Sequence, residues 1–107
     1  MKESAEKARM YLSDSAPESC FWLCDGQILK SMEDLSRALK SMNDDVFRYH
    51  VNEAKNDFAN WIKNILQDSE LANSLSKVRD RSRAASIVES RLSSLKRAAP
   101  SSSKKSR

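Results

Sequence analysis

The clearest hydrophobic pattern along the chain is a row of apolar residues that advances by three or four positions, which is typical of one face of a helix. The row comprises Phe47, Val51, Ala54, Phe58, Trp61 and Ile65. It allows one long helix over about 45–67. Asn52 and the pair Asn56-Asp57 could equally end one helix and begin another, because such side chains compete for backbone hydrogen bonds. The periodicity leaves both alternatives open.

Shorter apolar rows predict further helices on either side. One covers about 32–42, where Ser31 and Asp34 form a capping pair. A short helix is predicted over about 2–12, and another follows a cap at Ser69. The last one covers Arg81 to Ala98 and is basic and amphipathic. Its narrow apolar stripe is Ala84, Ile87, Val88, Leu92 and Leu95.

The segment FWLCDGQILKS places two apolar runs around Asp25-Gly26, and this pattern predicts a β-hairpin over about 20–30 with a two-residue type I′ turn. In that register Trp22 faces Leu29. Both faces of the hairpin would then be apolar. At least one face must pack on helices, and the other is left for a partner or for the N-terminal segment.

Composition narrows the fold class. One Gly and two Pro among 107 residues leave few tight turns and no glycine-rich phosphate loop. We therefore predict a mainly α protein, a small helical bundle with an N-terminal β-hairpin, a basic C-terminal helix and a disordered tail. The predicted divisions are an N-terminal segment and linker at 1–19, the hairpin and helical domain at 20–76, the basic helix at 77–99, and the tail at 100–107.

Charge is divided unevenly along the chain. Residues 1–76 carry a net charge of −4 and residues 77–107 carry +8, which together give the overall +4. Such a basic region is typical of contact with nucleic acid, an acidic protein surface or anionic lipid, although it could also serve solubility alone. The candidate phosphate contacts are Lys77, Arg79, Arg81, Arg83, Arg91, Lys96, Arg97, Lys104, Lys105 and Arg107.

Candidate catalytic chemistry is sparse. His50 is the only histidine and follows Phe47 by three positions on the apolar row, so we expect a packed histidine with a satisfied hydrogen bond rather than a catalytic base. The spacing of Cys20 and Cys24 is not that of a zinc site. The sequence predicts no enzyme, no metal site and no cofactor. A charged start without a long apolar window, together with reduced cysteines, predicts a cytoplasmic protein without a transmembrane segment.

Asparagines recur every four residues over 52–64. Asparagine can read adenine edges, but few cations accompany these positions, so we interpret them as solvent-facing or capping residues.

A longer signature runs from the turn of the predicted hairpin into the predicted helix that follows Ser69. It runs through Asp-Gly, a Lys-Ser step, Phe-x-x-His-Val, Asn-Asp-Phe-x-x-Trp-Ile and Asp-x-x-Leu-Ala. The chain resembles, over about residues 20–76, a family of small uncharacterised archaeal and bacterial domains. The matching positions are Asp25, Gly26, Leu35, Phe47, His50, Val51, Asn56, Asp57, Phe58, Trp61, Ile62, Asp68, Leu71 and Ala72. This resemblance implies a domain boundary and no particular activity, and it leaves 77–107 outside the signature.

Two functional hypotheses follow. In the first, the chain is a non-catalytic interaction module that docks a protein partner or a second copy through the hairpin face and the C-terminal helix. The candidate partner contacts are Ile87, Val88, Leu92 and Leu95. In the second, the basic region 77–107 binds DNA or RNA phosphates without sequence specificity.

Overall fold

A computed structural model describes residues 4–99 of the chain. Within that range six helices and one antiparallel hairpin form the fold, which confirms the mainly helical architecture with a small N-terminal hairpin. The elements are α1 (Ala5–Leu12), β1 (Phe21–Trp22), β2 (Ile28–Leu29), α2 (Met32–Ser41), α3 (Asp44–His50), α4 (Asp57–Trp61), α5 (Ser69–Leu75) and α6 (Arg81–Ala98). The predicted disordered tail at 100–107 lies outside the described residues.

Each of the six helices begins with a side-chain cap that accepts a hydrogen bond from the backbone N–H three residues later. The caps are Ser4, Ser31, Asn43, Asn56, Asp68 and Asp80. Isolated helices this short are marginal in water, so their ends and their packing decide whether they form. The cap of α5 is Asp68, not Ser69 as predicted, because the Asp68 carboxylate accepts the N–H of Leu71 at 3.2 Å.

The region over 45–67 forms two helices. The chain leaves α3 at His50 and reverses through a short bridge between Val51 and Asn56. Asn56 then caps α4, so the asparagine that interrupts the apolar row also begins the next helix. A π-helical turn, Ile62–Leu66, extends α4 and ends at Gln67, whose φ of 69° lies in the left-handed region.

The hairpin pairs one residue out of the predicted register. Phe21 lies opposite Leu29 and Trp22 opposite Ile28, so the turn has three residues instead of two. A type I′ turn needs positive φ at both of its central residues, but only Gly26 in this turn has one, at 100°. The Gly26 N–H instead donates to the carbonyl of Leu23 at 2.9 Å, and a three-residue turn with glycine in the positive-φ position results.

The changed register decides which side chains face the core. Phe21, Leu23 and Leu29 are buried, whereas Trp22 and Ile28 face outwards. The prediction that at least one face packs on helices is therefore met, but with different residues on each face. That the other face meets a partner stays a prediction.

Helix α6 packs against α1, α2 and α5 and supplies one wall of the core. Val88 and Leu95 are completely buried, and the buried cluster extends from Ala8 to Ala99. The division of the chain at residues 19, 76 and 99 stays a prediction. No described helix is both long enough and apolar enough to cross a membrane.

Candidate functional site

The outer face of the hairpin carries the largest exposed apolar side chain in the described range. Trp22 is 66% exposed and Ile28, directly opposite it, is 45% exposed. Residues paired across strands have Cβ atoms about 5 Å apart, so the two side chains form one continuous surface. We call Trp22 and Ile28 the hairpin patch.

The inner face of the hairpin fixes this patch to the helices. The Phe21 ring lies 5.0 Å from the Phe58 ring and 5.8 Å from the Trp61 ring, measured between centroids. The Trp61 indole N–H donates to the Ser19 carbonyl at 2.8 Å, just before β1. Because these contacts hold the N-terminal end of β1 on α4, the hairpin patch sits on a packed support.

His50 forms the third attachment of the hairpin. Its side chain is only 5% exposed, and its Nε2 accepts the Cys24 backbone N–H at 3.0 Å. Its Nδ1 lies 3.0 Å from Oδ2 of Asp57. Since a backbone N–H can only donate, Nε2 carries no proton, and the ring is neutral with its proton on Nδ1, directed at Asp57. This matches the expectation of a packed histidine with satisfied hydrogen bonds.

Asp57 links His50 to a surface cation. Lys55 Nζ contacts the same Asp57 oxygen at 2.9 Å. Burial acts to raise the pKa of Asp57, but the hydrogen bonds from His50 and Lys55 outweigh it and hold the pKa below its ordinary value. The hydrogen bond to Asp57 in turn raises the pKa of Lys55. The result is a hydrogen-bonded chain from solvent through Lys55 and Asp57 to the buried imidazole.

This geometry defines what His50 can do chemically. Nε2, the nitrogen that a general base would present to a substrate, is already occupied by the Cys24 N–H. Both cysteines are free, and Cys20 Sγ donates to the Ala16 carbonyl at 3.5 Å. Among residues 4–99, no three side chains of metal-binding type are grouped together.

The candidate phosphate contacts fall into three groups. Arg81, Arg91 and Lys96 form ion pairs within the chain, with Asp44, Asp68 and Glu33 respectively. Four others are exposed and have no ion-pair partner within the described range: Lys77, Arg79, Arg83 and Arg97. Lys104, Lys105 and Arg107 lie outside the described residues. We call Lys77, Arg79 and Arg83, which follow α5 and enter the first turn of α6, the cationic cluster.

The candidate partner contacts on α6 point into the protein. Val88, Leu92 and Leu95 are buried, and Ile87 is half-buried against the same core. The narrow stripe that suggested a free docking face is therefore covered by the chain's own helices. Sequence spacing could not reveal this, because the covering residues of α1 lie some eighty positions earlier.

A buried ion pair was not predicted. Asp68 is completely buried and accepts bonds from Arg91 Nε at 2.7 Å and from Arg91 Nη2 at 2.9 Å. Arg91 also reaches Glu70 at 3.6 Å and lies over the Tyr11 ring. The partners are 23 positions apart, so local spacing carries no signal for the pair.

A surface depression beside the π-helical turn was also missed. It has a volume of about 400 Å³ and lies between that turn and the residues that follow α1. Its lining includes the exposed apolar side chains of Met10 and Ile65.

Several residues that carry the family resemblance make specific contacts in the fold. Gly26 forms the hairpin turn, Asp57 bonds to His50, and Asp68 caps α5 and binds Arg91. Asn56 caps α4 and donates through Nδ2 to the Leu75 carbonyl at 2.9 Å. The signature thus describes how the hairpin, α4, α5 and α6 are held together.

These features define a small helical domain in which a short hairpin is clamped by a buried histidine. The chain belongs to the family of unknown function DUF5752, whose model matches residues 25–97. An uncharacterised family is thereby confirmed, and the match extends beyond the predicted 20–76 to include nearly all of α6. No curated protein and no solved structure matches the chain significantly.

Proposed function

We propose that the chain is a non-catalytic interaction module that docks a protein partner through the hairpin patch. The observation that carries this proposal is the 66% exposure of Trp22 on a hairpin whose other face is anchored in the core. Tryptophan is enriched among the few residues that dominate binding energy at protein interfaces. A rigid support lowers the entropy lost on binding, because the aromatic side chain is presented in place.

A pocket on another protein fits this surface better than a second copy of the chain. Stable dimers bury about 800 Å² on each partner, and two side chains supply only a fraction of that area. The apolar stripe of α6, which could have enlarged the surface, is buried except for the half-buried Ile87. We therefore expect Trp22 to act as an anchor that inserts into an apolar pocket, with Ile28 beside it.

Affinity capture followed by direct titration tests this proposal. A protein captured by the wild type would be purified and titrated against wild type, Trp22→Ala and Met10→Ala. Met10 is a matched control, because it is an exposed apolar residue of α1. We expect Trp22→Ala to weaken binding by at least about 30-fold, as for an anchor residue worth about 2 kcal/mol, and Met10→Ala to change it less than about twofold.

Two results would contradict the proposal. One is a set of captured proteins whose affinities do not depend on Trp22. The other is a self-associating wild type in sedimentation velocity that Trp22→Ala makes monomeric, which would identify the partner as a second copy.

Nucleic-acid binding is the second candidate function, and the cationic cluster is the observation that favours it. Lys77, Arg79 and Arg83 lie within seven positions, are exposed and make no ion pair with a described residue. Several such cations can displace the counterions condensed on phosphates. The contacts would carry no sequence specificity, because nothing in the cluster is placed to read base edges.

Salt-dependent titration with duplex and single-stranded DNA and RNA tests this candidate. Three phosphate contacts predict a roughly 40-fold loss of affinity between 50 and 200 mM salt. Changing the three residues of the cationic cluster to Gln should reduce that salt dependence. The control is Arg37→Gln, which removes a cation already paired with Glu33 and Asp34. Undetectable binding at 50 mM salt would exclude the candidate.

A further inference from the structure

We propose that His50 is a pH-sensitive latch that holds the turn of the hairpin, and with it the hairpin patch, against α3 and α4. The effect of the latch on partner binding rests on the proposed function, whereas the latch itself can be tested on the isolated protein. The geometry behind it is one contact, from the Cys24 backbone N–H to the unprotonated Nε2 of His50 at 3.0 Å.

Protonation would remove that contact. A second proton on the ring has only Nε2 to bind to, since Nδ1 already carries one directed at Asp57. Nε2 would then present an N–H to the N–H of Cys24, so that two donors face each other in a partly buried contact. We expect the turn at Cys24 to move away and so separate the two donors, because Cys24 is exposed. His50 itself is packed between the Phe21 and Phe58 rings and should stay in place.

Some charged groups around His50 favour protonation of its ring, and others oppose it. Asp57, on α4, favours a charged ring through its hydrogen bond to Nδ1. Lys55 opposes it, because its ammonium contacts the same Asp57 oxygen. Tyr49, on α3, meets the ring edge-to-face, and Cys24 supplies the backbone donor. The latched form is the one with a neutral ring, because the Cys24 N–H needs an unprotonated Nε2 as its acceptor.

The loosened state would keep most of the hairpin in place. Phe21, Leu23 and Leu29 are buried on the inner face, and Phe21 packs on Phe58 and Trp61 as well as on His50, so we expect these side chains to stay in place. The expected change is therefore confined to the turn, residues 24–26, and to the adjacent hairpin patch. Such a change would lower the affinity for a partner that requires a fixed Trp22.

NMR spectroscopy can test the latch on the wild-type protein. Because His50 is the only histidine, its imidazole ¹⁵N signals need no assignment among competing residues. At pH 7.5 we expect a neutral ring with the proton on Nδ1.

On acidification we expect the NMR signal of the Cys24 amide to shift with the same midpoint as the signals of the ring nitrogens. After correction for intrinsic exchange rates, hydrogen exchange of that amide should rise about tenfold, as for the loss of one hydrogen bond. The amide of Val46, bonded to Asn43, should not change with the same midpoint.

Two variants sharpen the test. His50→Gln places an amide oxygen that accepts a hydrogen bond but does not titrate, so the pH dependence of the Cys24 amide should vanish. Asp45→Asn removes an exposed carboxylate from α3, and the dependence should remain. The wild-type titration stands on its own if His50→Gln does not fold.

The latch is refuted by a ring that is protonated on Nε2 at pH 7.5. It is refuted equally by a Cys24 amide that does not follow the titration of His50. Neither result requires a partner, so both are separable from failure of the proposed function, which would show as binding independent of Trp22.

Discussion

Replacing Arg91 with alanine would leave the buried carboxylate of Asp68 without its counter-ion. Asp68 is completely buried, and its two oxygens accept bonds from Arg91 at 2.7 and 2.9 Å. After the substitution, the described contact that remains for this carboxylate is the cap bond from the Leu71 N–H at 3.2 Å. Breaking a buried pair by removing one partner costs about 3–5 kcal/mol, because the other charge stays buried.

That cost is large for a domain of this size. Domains of about 100 residues are stable by only about 5–15 kcal/mol, and each kcal/mol corresponds to about 4–8 °C in melting temperature. We therefore expect Arg91→Ala to lower the melting temperature by at least about 12 °C. Urea unfolding followed by circular dichroism at pH 7 would give the free energy directly.

Two comparisons make this prediction specific to the buried pair. Arg37→Ala removes a 66% exposed arginine that also makes two ion pairs, and it should cost less than about 1 kcal/mol. Combining Asp68→Asn with Arg91→Met should recover part of the loss, because no buried charge remains. A loss for Arg91→Ala no larger than that for Arg37→Ala would refute the reasoning.

Three further predictions concern single residues. Gly26→Ala should cost about 1–2 kcal/mol in urea unfolding, since alanine is strained at a φ of 100° although its Cβ would meet no atom within 4 Å. Asn56→Ala should cost about 2 kcal/mol in the same assay, because both the cap of α4 and the bond to the end of α5 are lost. Burial acts to raise the pKa of Asp57, but the bonds from His50 and Lys55 hold it below the ordinary value. The ionised Asp57 carboxylate therefore stabilises the fold at pH values above its unfolded-state pKa of about 3.9. That stability should be lost as the pH falls below about 4, and Asp57→Asn should remove this part of the pH dependence in urea unfolding measured between pH 5 and 3.

The sequence predicted the elements whose signals are local. Helix α6 begins at Arg81 and ends at Ala98, as its apolar stripe indicated. Helix α2 begins after Ser31, as predicted, because its cap and its apolar row lie within a few residues of each other in the sequence. The interrupted row over 45–67 could not be decided from periodicity, since two helices joined by a short loop gave the same apolar spacing as one helix would.

The errors and omissions arise where long-range contacts or single φ angles decide. The hairpin register depended on whether Asp25 takes a positive φ, which composition does not reveal. The burial of Val88 and Leu95 depends on α1 and α2, and the bond from Cys24 to His50 spans 26 positions. The charge division between the two parts of the chain was correct as arithmetic, but it could not show that Arg91 is used inside the fold.

The contact between α1 and α6 has a consequence for the order in which the domain can be made. These helices are separated by nearly the whole described chain, yet each covers the apolar face of the other. During synthesis the earlier helices emerge with that side of the core open to solvent. Folding of this domain cannot be completed until α6 has left the ribosome, so the segment from α1 to α5 is expected to emerge as an incomplete, aggregation-prone intermediate.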